Sequence, residues 1–134
     1  MAKTSVELVQ AEGNFYKEQF AKDSEEEFEA LLQQRVDEAA AEVQREVGAE
    51  TYASEEPVTE ALLCTAETYL GCAKCFQTIE SIIATWDQEQ LPSEFVSAER
   101  VGAMIERYRR LAKEILDQYD QTYDEATRPY FASE

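Results

Sequence analysis

Hydrophobic residues recur every three or four positions along three long stretches of this chain, which is the spacing of one face of a helix. The alternation that is typical of strands never persists beyond a few residues, and only three prolines and four glycines interrupt the pattern. The pattern predicts an all-α fold: an antiparallel helical bundle of three long helices with a short N-terminal helix and an extended C-terminal tail.

The first long helix is predicted to begin after Ser24. Serine is a favoured N-cap, and Glu27 three residues later gives capping-box spacing. Gly48 is a suitable residue to end the helix, and we expect a loop over residues 49–56. The apolar face comprises Phe28, Leu31, Leu32, Val36, Ala39, Ala40, Val43 and Val47.

The second long helix is predicted from Pro57 to Trp86. Its middle is apolar on most faces, so we expect other helices to surround it. Cys72 and Cys75 form a C-x-x-C pattern there, but no strand precedes it as in a thioredoxin-like site, and Cys64 lies roughly 16 Å from Cys75 along a straight helix. The three cysteines are therefore interpreted as small buried residues in a reducing cytosol, with neither a disulfide nor a metal.

The third long helix is predicted after a polar link, residues 87–94, that Pro92 interrupts. Ser97 is the expected N-cap of this helix. Its apolar face comprises Val101, Met104, Ile105, Tyr108, Leu111, Ala112, Ile115, Leu116, Tyr119 and Tyr123.

The N-terminal stretch, residues 1–23, is predicted to be a short helix followed by an arm that packs over the main body. Thr4 and Glu7 have capping-box spacing, and Gly13 should end the helix. We expect one helical bundle domain over residues 1–123.

Gly71 and Gly102 lie inside the predicted long helices, where each glycine costs about 1 kcal/mol relative to alanine. We therefore expect another helix to approach closely at both positions.

The net charge of -17 and the absence of histidine limit the possible functions. Residues 1–60 carry 16 acidic and 5 basic side chains, and this charge repels nucleic-acid phosphates and anionic lipid. No nucleophile–base pair, glycine-rich phosphate loop or metal motif is present, so neither an enzyme nor a cofactor is predicted. A membrane span is not predicted either, because no apolar run approaches 18 residues.

The basic cluster of the last helix leaves two interpretations open. Its arginines pair with acidic residues of the same chain, or they form half of an intersubunit contact whose other half is the acidic second helix of a neighbour. The residues of this candidate contact are Arg107, Arg109, Arg110, Glu25, Glu26 and Glu29.

The C-terminal tail, residues 124–134, carries two aromatic residues beyond the last helix. Tyr130 and Phe131 follow Arg128 and Pro129 in a polar segment with no obvious core to enter. Aromatic side chains supply much of the energy of protein contacts, so we predict a docking tail that orders on a partner. Packing back onto its own helices is the alternative.

A further pattern combines an acidic, capped helix, a short loop and a long apolar helix, followed by a separate last helix and an irregular tail. The positions that carry it are Val36, Ala39, Ala40, Val43, Val47, Gly48, Tyr52, Pro57, Ala61, Leu62, Leu63, Ala66, Tyr69, Leu70 and Ala73. Over residues 24–123 the chain resembles the small helical head–tail connector (adaptor) proteins of tailed bacteriophages.

The resemblance implies a structural protein of the virion neck, made in the host cytoplasm. Such adaptors form a ring, commonly of twelve copies, beneath the portal protein, and DNA passes through the lumen. The C-terminal segment reaches the portal, and the other end receives the tail or its stopper protein. The alternative function is an acidic DNA mimic of the anti-restriction type, which would inhibit a basic DNA-binding protein.

Overall fold

The computed structural model describes residues 2–85 and 98–119, and within these ranges the chain forms helices and turns without a strand. The all-α prediction is therefore confirmed for the described part of the chain. Its helices are α1 (Val6–Gly13), α2 (Glu25–Val47), α3 (Ala49–Tyr52), α4 (Pro57–Thr85) and α5 (Ala98–Leu116), and 3₁₀ turns lie at Lys17–Phe20 and Asp117–Tyr119.

Helix α2 begins where the sequence predicts. The Ser24 side chain accepts a hydrogen bond from the Glu27 amide at 3.1 Å, which satisfies one of the free amides of the first turn. Seven of the eight predicted apolar positions are buried, and Leu31 is partly buried. Gly48 ends the helix with a φ of 87°, a conformation that side chains rarely adopt.

Helix α4 is the central element of the described structure, because α1, α2 and α5 all contact it. Four consecutive residues from Leu70 to Ala73 are buried, which covers a full helical turn. Arg35 of α2 bonds Thr78, whereas Glu42, further along α2, bonds Lys74, so α2 and α4 run in opposite directions.

Helix α5 packs along α4 through its apolar face. The Tyr108 ring lies 5.8 Å from the Tyr69 ring and 6.0 Å from the Phe76 ring, measured between centroids. Val101 and Leu116 are buried near the two ends of the helix. Several predictions lie outside the described residues: the link at 87–94, the cap at Ser97, Tyr123 and the tail.

The arm that follows α1 is part of the core. Phe15 and Phe20 are buried, and the Phe15 ring lies 4.9 Å from that of Phe76. Asn14 ends α1 in the left-handed conformation, with a φ of 55°. Residues 2–23 therefore pack closely on the helices, as the sequence pattern predicts.

Three local predictions are wrong. The cap of α1 is Ser5, whose side chain accepts from the Leu8 amide at 3.2 Å, whereas the Thr4 hydroxyl contacts the Thr68 hydroxyl of α4. The expected loop over residues 49–56 contains the one-turn helix α3. Close approach explains Gly71, where an added Cβ would lie 2.9 Å from a Val9 methyl, but such a Cβ at Gly102 would meet no atom of residues 2–85 or 98–119 within 4 Å.

Candidate functional site

An acidic cleft lies between the N-terminal segment and α2. It has a volume of about 680 Å³, and its lining includes four carboxylates but no basic side chain. These four residues are all exposed, and none forms an ion pair with another described residue. The cleft is lined by Ala2, Thr4, Ser5, Val6, Glu7, Glu26, Glu29, Ala30, Gln33 and Asp37.

The electrostatics of this cleft favour a cationic partner. Four like charges around one concave surface repel one another, and a bound cation relieves that repulsion. Asp37 also accepts a hydrogen bond from the Gln33 side chain at 3.0 Å, and both residues line the cleft.

The N-terminal wall of the cleft is held by a buried carboxylate of α4. Glu67 is 0% exposed, and its Oε1 accepts hydrogen bonds from the backbone amides of Lys3 at 2.8 Å and Thr4 at 3.0 Å. Its Oε2 accepts a hydrogen bond from the Tyr52 hydroxyl. Such donors are needed because burying a charge without partners is very costly. We call this group of residues, Lys3, Thr4, Tyr52 and Glu67, the clasp.

The clasp also contains a cation over the ring of Tyr52. The Lys3 ammonium lies 4.9 Å from the centroid of the Tyr52 ring, within the range of a cation–π contact. Burial raises the pKa of Tyr52, and the hydrogen bond to Glu67 and the charge of that carboxylate raise it further. Tyr52 is therefore a neutral hydrogen-bond donor across the physiological range.

Further contacts fasten residues 2–13, which we call the N-terminal strap, along α4 and α5. The hydroxyls of Thr4 and Thr68 lie 2.7 Å apart, and the Cys72 thiol donates to the Val9 carbonyl at 3.6 Å. Near the end of the strap, the Tyr108 hydroxyl donates to the Glu12 carboxylate at 3.1 Å. Burial raises the pKa of Tyr108, and Glu12 adds to that increase.

The arginines of α5 divide into two kinds. Arg109 lies 3.6 Å from the Glu42 carboxylate of α2 and bonds Gln77 of α4, so it joins helices of its own chain. Arg107 and Arg110 are exposed and form no ion pair with another described residue. We call these two residues the arginine face.

Other predicted site residues are only partly brought together. Glu26 and Glu29 line the acidic cleft, whereas Glu25 is exposed on α2 outside its lining. Arg128, Pro129, Tyr130 and Phe131 of the predicted docking tail lie outside the described residues.

Two of the three cysteines occupy the buried positions that the sequence predicts. Cys72 and Cys75 are buried, Cys64 is partly buried, and all three are free. Burial raises the pKa of Cys75 to about 12, so its thiol is not an activated nucleophile. Within residues 2–85 and 98–119, no group of acidic, cysteine or histidine side chains could hold a metal ion. None of the described helices is long and apolar enough to cross a bilayer.

Reasoning from the sequence does not predict the clasp. The position of Glu67 among apolar residues is nevertheless a sign of it. Glu67 follows Ala66 directly and lies four residues after Leu63 and three before Leu70, so it shares the buried side of the central helix with apolar residues. An acidic residue at such a position indicates a buried polar partner.

Comparison of the chain with protein-family models, with curated proteins and with solved structures finds no match.

Proposed function

We propose that this chain is a structural subunit that assembles head to tail with copies of itself, as a head–tail connector (adaptor) of a tailed bacteriophage. One observation carries the proposal: an exposed arginine face on α5 and an exposed acidic cleft beside α2 occur in the same subunit. In this assembly the arginine face of one copy enters the acidic cleft of the next.

The distribution of charge supports a contact between unlike surfaces. Helix α5 carries five basic and three acidic side chains, whereas α2 carries two basic and eight acidic ones. A protein with a net charge of -17 repels its own copies, so association requires a local attraction. Pairing α5 with the acidic cleft supplies it and also fixes the orientation of the contact.

A contact between two different surfaces generates a ring when the rotation between copies closes. In the proposed connector, antiparallel helical bundles pack side by side beneath the portal protein, and the tail or its stopper protein binds the opposite end. An acidic lumen suits DNA passage because it does not bind phosphate. The C-terminal tail, with Arg128, Pro129, Tyr130 and Phe131, docks on the portal.

A DNA mimic is less well supported by the same surfaces. Mimicry of a duplex requires carboxylates in place of phosphates along a continuous exposed face. Helix α2 offers such residues, but the arginine face of α5 places exposed positive charge on the same small molecule. A connector uses both surfaces, and a mimic uses one.

A charge-swap experiment tests the contact between copies. The Arg107→Glu/Arg110→Glu variant and the Glu26→Lys/Glu29→Lys variant should each self-associate at least about tenfold more weakly than the wild type, which corresponds to about 1.4 kcal/mol. An equimolar mixture of the two should associate again, because each contact in a mixed assembly then joins opposite charges. Sedimentation velocity over a concentration series measures all three samples.

Two single variants are controls for the change in net charge. Arg45→Glu on α2 and Glu80→Lys on α4 alter exposed residues outside the cleft lining and the arginine face. Both should associate as the wild type does. A mixture that associates no better than its components would contradict the head-to-tail contact, and a wild-type protein that never self-associates would contradict assembly itself.

Deletion of residues 124–134 tests the docking tail separately. The truncated protein should retain self-association through α5 and the cleft but lose binding to the portal protein. Portal binding that survives the deletion would contradict the role of the tail.

A further inference from the structure

One wall of the acidic cleft is built by the N-terminal strap, and the clasp holds that wall in place. We propose that the strap opens as a unit while the rest of the chain stays folded, and that Glu67 controls how often it opens. The cleft exists only while the strap is closed, so opening prevents a second copy from docking. This last step rests on the proposed function, whereas the opening itself does not.

The strap has little stability of its own. Helix α1 has eight residues, which is too short for an isolated helix to persist in water. Val9 is its one fully buried side chain, and Leu8 is 49% exposed. Local opening of a protein is confined to segments of this kind, with few buried apolar contacts.

Polar contacts therefore supply much of the attachment. Glu67 accepts the amide hydrogens of Lys3 and Thr4, and Thr68 contacts the Thr4 hydroxyl. Both amide bonds end on a single carboxylate oxygen, so they are weakened together when Glu67 changes. A single side chain of α4 thus controls the first residues of the strap.

The strap also has a defined end. Asn14 adopts a left-handed conformation directly after α1, and the next residue, Phe15, is only 3% exposed. The Phe15 ring packs against Phe76 of α4 and against Phe20. Residues from Phe15 onward are thus anchored in the core, and the break between the moving and the fixed parts falls at Asn14.

The closed strap determines the shape of the cleft. Five of its residues line the acidic cleft, and one of them, Glu7, supplies a carboxylate that faces those of α2. Opening removes this wall and leaves Glu26 and Glu29 on an open helix surface. An arginine that enters the closed cleft contacts carboxylates on both sides, and it loses one side when the strap opens.

Two buried cysteines report the opening. Cys72 lies against the Val9 carbonyl, so it becomes accessible when the strap opens. Cys75 instead lies close to the charges of Arg35 and Glu38 on α2, so it stays covered until α2 separates. Cys64 is partly exposed in the folded protein and is removed in the test.

The experiment compares two single-cysteine proteins under native conditions. One retains Cys72 (Cys64→Ser, Cys75→Ala), and the other retains Cys75 (Cys64→Ser, Cys72→Ala). Reaction with a thiol reagent in excess, followed by mass spectrometry, gives the labelling rate of each. Cys72 should react at least about tenfold faster than Cys75, and Glu67→Gln should accelerate Cys72 about tenfold further while changing Cys75 much less.

The exposed carboxylate of Glu80, also on α4, provides the matched control. Glu80→Gln should leave both labelling rates unchanged. Equal rates for Cys72 and Cys75, or equal acceleration of both by Glu67→Gln, would overturn the proposal, because the strap would then open only when the whole chain unfolds.

If Glu67→Gln does not fold, hydrogen exchange of the wild-type chain tests the opening of the strap in its place. The amides of α1 should exchange together and much faster than those in the middle of α4, and exchange of both at one rate would overturn the opening.

Sedimentation velocity distinguishes the regulation of docking by the strap from the proposed head-to-tail assembly. If Glu67→Gln accelerates Cys72 labelling but leaves self-association unchanged, the regulation of docking is overturned, whereas a wild-type protein that does not associate contradicts the proposed function alone.

Discussion

The Tyr52 hydroxyl donates a hydrogen bond to the Glu67 carboxylate, which lies fully buried in the described structure. This contact joins the one-turn helix α3 to the central helix α4, and the other oxygen of the same carboxylate binds the strap. A single side chain thus connects three segments that are distant in the sequence.

A double-mutant cycle measures this connection. Tyr52→Phe and Glu67→Gln should each lower the free energy of unfolding by about 1–3 kcal/mol, because each leaves a buried polar group without its partner. The double variant should lose less than the sum, with a coupling of about 1 kcal/mol. Urea unfolding measures all four proteins. Additive losses would show that the two residues do not interact, and Glu80→Gln should change the stability by less than about 0.5 kcal/mol.

Replacing Gly71 or Gly102 by alanine should change the stability of the protein in opposite directions. At Gly71 the new methyl would lie 2.9 Å from Val9, a branched side chain that cannot easily turn aside. Overpacking of this kind costs about 1–3 kcal/mol, which exceeds the gain of about 1 kcal/mol in helix propensity. Gly71→Ala should therefore destabilise the protein.

Gly102→Ala should instead stabilise it by about 0.5–1 kcal/mol, because no atom of the described residues lies within 4 Å of the added Cβ. Thermal unfolding of both variants gives the comparison. A Gly71→Ala protein more stable than the wild type would show that Val9 and the strap can move aside without loss.

Stability should fall as the pH rises above about 9. Burial raises the pKa of Cys75 to about 12 and also raises those of Cys72, Tyr52 and Tyr108. These groups lose protons earlier in the unfolded chain, where cysteine and tyrosine have ordinary pKa values of roughly 8.5 and 10. The unfolded state then binds fewer protons, so the free energy of unfolding decreases with increasing pH.

Removing one of these buried groups tests whether their raised pKa values cause the loss of stability at high pH. Cys75→Ala should reduce the slope of stability against pH between about pH 9 and 11, measured by urea unfolding with a reducing agent present. An unchanged slope in Cys75→Ala would contradict the assignment to Cys75.

Glu42 should contribute to the free energy of unfolding at neutral pH, and this contribution should be lost in acid. Burial opposes its ionisation, but the hydrogen bond and charge of Lys74, together with Arg109, outweigh burial and lower the pKa of Glu42. A lowered pKa gives a contribution that is present above the ordinary value of about 4.5 and is lost as the pH falls below it. Glu42→Gln should thus cost about 0.5–1 kcal/mol at pH 7, because the site is partly solvated.

The difference between Glu42→Gln and the wild type should shrink as the pH falls from 5 to 3. Chemical unfolding at several pH values provides the measurement. A difference that persists undiminished at pH 3 would mean that the loss comes from packing and not from charge.

The sequence predicts the long helices well where local signals agree. Ser24 supplies a cap, and the residues that follow repeat with helical spacing, so the start of α2 follows from short-range chemistry. The same reasoning misplaces the cap of α1. Thr4 has the right spacing to Glu7, but its hydroxyl contacts Thr68 and its amide donates to Glu67, 64 and 63 positions away, and no local rule contains these contacts.

The candidate site was predicted only in part for the same reason. The charges of Glu26, Glu29, Arg107 and Arg110 are visible in the sequence, but the cleft needs the strap as its second wall. The sequence allows both interpretations of the arginine cluster, and in the structure Arg109 pairs with Glu42 of its own chain. Whether an arginine of α5 pairs within its own chain depends on how α2 and α5 lie across α4, which is a tertiary property.

The long-range contact of Thr4 has a consequence for synthesis of the protein. Lys3 and Thr4 reach their partner Glu67 only after synthesis has extended the chain by a further 64 and 63 positions. The strap therefore settles on the fold after the first part of α4 has been made, and a nascent chain that stops before α4 lacks the carboxylate that binds the strap.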